Sequence, residues 1–355
     1  MRLPSLLRKE LAWGRRKLLV LLLLFVLLPG AMAYGTLAYE HVLPRDTPVA
    51  IVAQDETVSR DDIAITRGAV TLFSDPVVYE SSDAAFHALE REQVYAIVSV
   101  PPDVGVGEGT TTFRLYVDGS IVPYHQASEA VVNVMSQYLR EGVPASIEVE
   151  RTVVGQERSL SEYLVPTFEL VLVMLVALAY LPYTLASEQD VFARLRVEAS
   201  LERVVAWKLA FFTGLMAVPL AVFAGVTSMF DYGLQVTAVG AVAFYLLTFV
   251  ILAAFSMAVT LATRFETWGR LCNLAVFLFL LLFSGLFYPA GFFSGLRGDV
   301  VRLLPTHYAA VAVRGYTLRE SAIGTYADWL VGLLVVAAAM LVLLKLSIVR
   351  YERAQ

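Results

Sequence analysis

Glu169 is the residue of this sequence whose setting most invites chemistry. It is the one charged residue in an apolar stretch, residues 163–187. A carboxylate inside a membrane-length helix is costly and usually tied to a pathway. If that helix begins near Leu164, Glu169 lies roughly 9 Å along it, nearer one end than the middle. Two readings stay open. Glu169 could be structural, reaching the interface or pairing with an arginine such as Arg314. It could instead face the bundle interior and favour a cationic or protonatable substrate.

The other reactive side chains do not combine. His41, His87 and His125 share no metal-ligand spacing with Asp or Glu. The single cysteine, Cys272, excludes an intramolecular disulfide and a cysteine metal cluster. There is no nucleophile elbow, and no GxxxxGK followed by Ser or Thr, so the chain cannot bind ATP by that route. A net charge of −5 argues against nucleic acid as a partner.

The elements that must carry Glu169 are membrane helices. The chain is 58% hydrophobic and only 17% charged, which excludes a soluble globular protein and a disordered one. Six stretches reach the length of about 20 residues that a span requires. They lie at residues 18–39, 163–187, 209–230, within 232–263, within 271–296, and 329–349. With the N-terminus inside, all four lysines fall on the inner side, as the positive-inside rule demands. Residues 18–39 have a rival reading, because Ala31-Met32-Ala33 resembles a signal peptidase site. The run of 22 uncharged residues favours a retained helix.

Between the first two spans, residues 40–162 form a different kind of sequence. They hold 20 acidic and 8 basic residues, a net of −12, with no lysine. Strands are expected at 47–53, 77–79, 94–100 and 111–117, and helices at 82–93 and 122–140. The alternation suggests a small α/β domain on the outer side. The expected fold is therefore a six-helix polytopic membrane protein with an extracytoplasmic α/β domain between helices 1 and 2. Short cytoplasmic segments, 1–17 and 350–355, flank it, and the five later helices occupy 163–349.

Two connectors stand out. Residues 187–208 are charged and free of Gly and Pro, as in a short helix lying on the membrane surface. Arg194 and Arg203 are spaced to pair with Glu198 and Glu202. Residues 287–304 are broken by Pro289, Gly291, Gly295 and Gly298. Irregular backbone at membrane depth survives only when buried in protein or lining water, so this segment is either re-entrant or a plain outer loop.

In order along the chain, several segments resemble the membrane subunit of an ABC exporter of the ABC-2 type. Residues 49–52 with Asp55 are similar to its first outer strand. Residues 92–98 followed by Pro101, then 115–120, resemble its later strands and turn, and 163–166 the start of its second helix. Ser284-Gly285-Leu286-Phe287-Tyr288-Pro289, then Leu304-Pro305-Thr306-His307-Tyr308 and Arg314, resemble its C-terminal pattern. Two features depart. The inner helix lacks the family's Gly-Thr and Ser-Pro, although Ser200 and Lys208 keep their spacing to the next span, and Glu169 replaces an apolar residue.

The resemblance implies a permease of an ATP-driven exporter in the cell membrane, multi-pass, with both termini cytoplasmic. Its partners would be a cytosolic ATPase subunit, a second permease copy or paralogue, and the lipid bilayer. It would bind no cofactor itself, ATP being held by the partner subunit. Residues 188–206 would be the coupling helix, with Glu188, Arg194, Arg196, Glu198 and Arg203 meeting the ATPase. Residues 287–304 would be re-entrant. Ser284, Pro289, His307 and Arg314 would join Glu169 as pathway or gate candidates. The alternative is a non-transport receptor or scaffold displaying the acidic domain. An ion-coupled secondary transporter is disfavoured by the lack of internal repeats and of further intramembrane charges.

Overall fold

The computed structural model describes residues 47–104, 110–142, 146–189, 200–293 and 296–353. The expected first helix, residues 18–39, lies outside them, as do segment 1–17 and Arg194, Arg196 and Glu198.

Residues 47–154 build a five-stranded sheet in the order β2-β1-β3-β4-β5. Its strands are β1 (Pro48–Ala53), β2 (Asp75–Val78), β3 (Ala96–Val100), β4 (Thr110–Asp118) and β5 (Ser146–Val154). β4 runs antiparallel to β3, and the other neighbours are parallel. β1 and β3 are covered on both faces, which is why they read as near-continuous apolar runs. Val49, Ile51, Val98, Phe113 and Leu115 share a core with α1 (Arg60–Val70) and α3 (Val122–Gly142). Ala50, Val52 and Ile97 pack with α2 (Ser82–Glu90) on the other face.

α1 and β5 go beyond the sequence reading. Half of α1 is polar, so its periodicity is weak, and its start is written in a capping box. Ser59 Oγ accepts the Asp62 N–H at 3.1 Å, and the Asp62 carboxylate accepts the Ser59 N–H at 2.9 Å. β5 alternates Ile147 and Val149 with exposed Glu148 and Glu150, a half-buried strand whose charges mask it.

The rest of the described chain is helical. Four helices are long and apolar enough to cross a membrane: α4 (Leu160–Ser187), α5 (Leu201–Met229), α6 (Val239–Ala262) and, last in the chain, α10 (Ala327–Arg353). α7 (Thr267–Phe283) is apolar but shorter. α6 is central and the most buried of the four long helices, packed against α4, α5, α7 and α10. The expected third span begins earlier than residue 209. Residues 201–206, assigned to a coupling helix, are instead the first turns of α5. Its start is set by Ser200, whose Oγ accepts the Arg203 N–H at 3.4 Å, and Glu202 in the first turn pairs with Lys345 of α10.

The uncharged run within 271–296 does not make one helix either. α7 ends at Phe283, and Gly285 turns the chain with φ of +68°. A 3₁₀ turn (Ala290–Phe292), α8 (Leu296–Leu303) and α9 (Pro305–Leu318) follow. This is the broken backbone that the prolines and glycines of the segment dictate.

Candidate functional site

The charged residues gather where the α/β domain meets the helices, at the C-terminal end of α9. Glu92 follows α2 and adopts φ of +53°, a backbone state uncommon for a side chain other than Gly. That turn delivers its carboxylate, wholly buried, into the joint. Arg314 of α9 meets it bidentately, Nε to Oε1 at 3.0 Å and Nη2 to Oε2 at 2.7 Å. The fork geometry of guanidinium and carboxylate makes this the strong form of a charged hydrogen bond. Arg319, capping α9, adds Nη2 to Oε1 at 2.6 Å, and its Nε reaches Asp118 at the end of β4, also at 2.6 Å.

The spare donors are consumed as well. Arg314 Nη1 donates to the carbonyl of Gly285 at 3.0 Å, in the turn that ends α7. Arg319 Nη1 donates to the Glu90 carbonyl at the end of α2, which also accepts the Tyr326 hydroxyl at 2.9 Å. One carboxylate thus joins α2, β4, α9 and the turn after α7. Burial alone would push the Glu92 carboxyl upward, but Arg314 and then Arg319 outweigh it and hold the group down at about 2.

A second attachment lies beside the first. The Gly291 N–H donates to Tyr95 Oη at 3.0 Å, and its carbonyl accepts Thr47 Oγ1 at 3.2 Å. A Cβ on Gly291 would stand 2.2 Å from the Tyr95 ring, so glycine is required for this approach. Phe292 then enters the core of the α/β domain, edge-on to Tyr95 and Tyr124. Further along, Arg91 pairs with Asp328 and lies 4.5 Å from the Trp329 ring, at the start of α10.

The sequence-selected residues distribute around this joint unequally. Arg314 is its centre, paired with Glu92 and not with Glu169. Ser284 Oγ lies 2.5 Å from Thr306 Oγ1, stitching the end of α7 to the start of α9. His307 is buried one residue on, near Gly285. Pro289 opens the 3₁₀ turn that carries Gly291 and Phe292. Glu169 is buried in α4, and its Oε1 has no hydrogen-bond partner among the described residues. At the other end of α4, Glu188 pairs with Lys208 of α5 at 2.5 Å, and Arg203 is exposed. Among the described residues no three His, Cys, Asp or Glu side chains converge on a metal position.

Glu92, Arg319 and Asp118 were not expected here. Glu92 carried one signal, a charged residue directly before a buried strand. Its partners lie more than 220 residues away, beyond what local patterning conveys.

A bundle of apolar helices docked through a buried ionic joint onto an α/β domain defines a multi-pass membrane protein. Residues 16–348 match the family described as ABC-2 family transporter protein, and the chain belongs to that family, as an ABC-2 type permease. It is thus the membrane component of a transporter. No curated relative and no solved structure matches it.

The joint should respond to acid in a defined direction. The Glu92 carboxyl is held below its ordinary value of 4.5, so its contribution is complete above that value and is lost as the pH falls towards about 2. The unfolding midpoint of the wild type relative to Glu92→Gln, read by thermal melting in detergent, should be constant above about pH 5 and shrink below it. A gap that stayed constant down to about pH 3 would contradict the assignment.

Proposed function

We propose that this permease works in ATP-driven export, with a separate ATPase subunit docked on its inner side and a second permease copy or paralogue completing the pathway. Counting residues 18–39 and α7, each copy has six spans, with both termini cytoplasmic and the α/β domain outside. The observation that carries this reading is the contrast between the two ends of the bundle. At the domain end, residues 284–318 would form the closure of the pathway, and Arg314 pins α9 to Glu92 and to the turn after α7. At the other end, the connector between α4 and α5 is bracketed by Glu188–Lys208 and Glu202–Lys345.

Those two ion pairs link α4 to α5 and α5 to α10 at this end, so a force applied there reaches three helices at once. Closure of the ATPase around nucleotide would shift the equilibrium towards an open pathway only if it binds that state more tightly. Arg203, exposed in the first turn of α5, is free to meet the ATPase. Arg194, Arg196 and Glu198, which lie outside the described residues, complete the proposed ATPase-coupling set with Glu188.

Glu169 belongs to the pathway in this proposal. Pro166 has no N–H to bond the Glu162 carbonyl one turn earlier, which loosens α4 just before Glu169. A buried carboxylate oxygen with no partner is costly to keep in an apolar bundle. It suits a substrate that carries positive charge.

Reversing Arg194, Arg196 and Arg203 together to Glu should cut co-purification with the ATPase subunit at least tenfold, with membrane yield unchanged. Full recovery of the complex, with ATP hydrolysis intact, would remove the connector as the docking surface. Glu169→Gln keeps the shape and removes the charge, and should lower transport of cationic substrates at least tenfold while sparing neutral ones. Unchanged transport of both kinds would make Glu169 structural.

A further inference from the structure

The joint joins parts that a transport cycle would have to separate if the α/β domain acted as a detachable lid. Besides the Arg91–Asp328 pair, three attachments cross it, and each differs in chemistry. Glu92 binds Arg314 and Arg319 in a wholly buried cluster. Gly291 is locked against Tyr95 and Thr47, with Phe292 seated in the domain core. Arg158, just after β5, donates to the Leu318 carbonyl at 3.0 and 3.2 Å and to the Tyr232 carbonyl at 3.1 Å. Opening the first of these would leave one buried carboxylate and two guanidinium groups without their charged partners, the costly way to break a buried pair.

The attachments fall on one set of elements. Arg314 also holds the Gly285 and Leu286 carbonyls, and Thr167 of α4 donates to Leu286 O at 2.9 Å. Ser284 meets Thr306, so α7's end, the 3₁₀ turn, α8 and α9 are fastened to each other as well as to the domain. Packed interfaces of this kind switch between discrete arrangements or move whole, since they do not deform continuously.

We infer that Glu92 is the positioning residue for the closure formed by residues 284–318. Through Arg314 and Arg319 it fixes that segment to the α/β domain, so the two travel as one body during transport. The domain is then a lever on the closure. Anything that engages the domain's exposed surface acts on the closure through Glu92 and through the Gly291 and Arg158 attachments beside it.

The test places spin labels on Ser82→Cys, exposed in α2, and Asp299→Cys, exposed in α8, with Cys272→Ser as background. Pulsed dipolar spectroscopy on the full chain should give one narrow distance distribution. In Glu92→Gln, with the circular dichroism spectrum unchanged, the distribution should broaden to at least twice its width. A fold-only role would leave the width unchanged in protein that remains folded, and that result would overturn the inference. If Glu92→Gln does not fold, Arg319→Gln, which keeps the Glu92–Arg314 fork, serves in its place with the same two outcomes. Neither measurement needs the ATPase, so both stand if the export reading fails. With the ATPase bound, trapping the complex with ATP and vanadate should leave the distance unchanged. A shift of more than about 5 Å, the size of a one-turn slip, would show that domain and closure separate and would overturn it.

Discussion

A single buried carboxylate holds this architecture together. Glu92 is taken out of water entirely, a cost that only complete pairing can offset. The structure meets it with two guanidinium groups, both from the C-terminal half of α9 or its cap, whose other donors reach the Gly285 and Glu90 carbonyls and Asp118. The position of α9 against the domain, the turn after α7 and the ends of α2 and β4 all follow from satisfying that one charge. A buried ion pair adds little net stability over a well-packed apolar contact. What it adds here is register: a slip of α9 by one turn would leave three charges unpaired.

The helices follow different rules away from the joint. Their polar groups act as local adhesive rather than as a charged core. Ser256 of α6 donates to the Ala177 carbonyl at 2.5 Å, inside the π-helical turn (Val176–Tyr180) of α4. Pro182 lacks the N–H that would have bonded the Leu178 carbonyl, so this stretch of α4 cannot keep a regular hydrogen-bond ladder. Asn273 of α7 donates to the Ser256 carbonyl at 3.2 Å, extending the link from α4 through α6 to α7. Backbone irregularity in a membrane-length helix is tolerated where a neighbouring helix supplies the missing partner.

Much of this was legible in the amino-acid sequence, and the gaps have physical causes. Charge-free runs located the long helices, because exclusion of charge is the strongest constraint a bilayer imposes. Helix ends were less legible. α5 begins among charges at Leu201, behind a Ser200 cap, and Glu202 finds Lys345 on another helix, a partner that no local rule reports. The core strands β1 and β3 were readable from their apolar runs, whereas β5 was hidden by Glu148 and Glu150 on its exposed face. At the site, Arg314 was named as a candidate, and the pairing with Glu169 that one reading allowed is replaced by a pairing with Glu92. The true partner lies in the other domain, and the turn that presents it is a positive-φ glutamate that no pattern announces.

A double-mutant cycle on Glu92 and Arg314 tests this account most directly. Glu92→Gln, Arg314→Gln and the double variant would each be unfolded by denaturant in detergent, following the fluorescence of the domain's tyrosines. If the pair fixes the joint, the second substitution adds little once the first is made, and the coupling is at least about 2 kcal/mol. Effects that sum to within about 0.5 kcal/mol would mean the two residues act independently, and the joint would have to be held by something else.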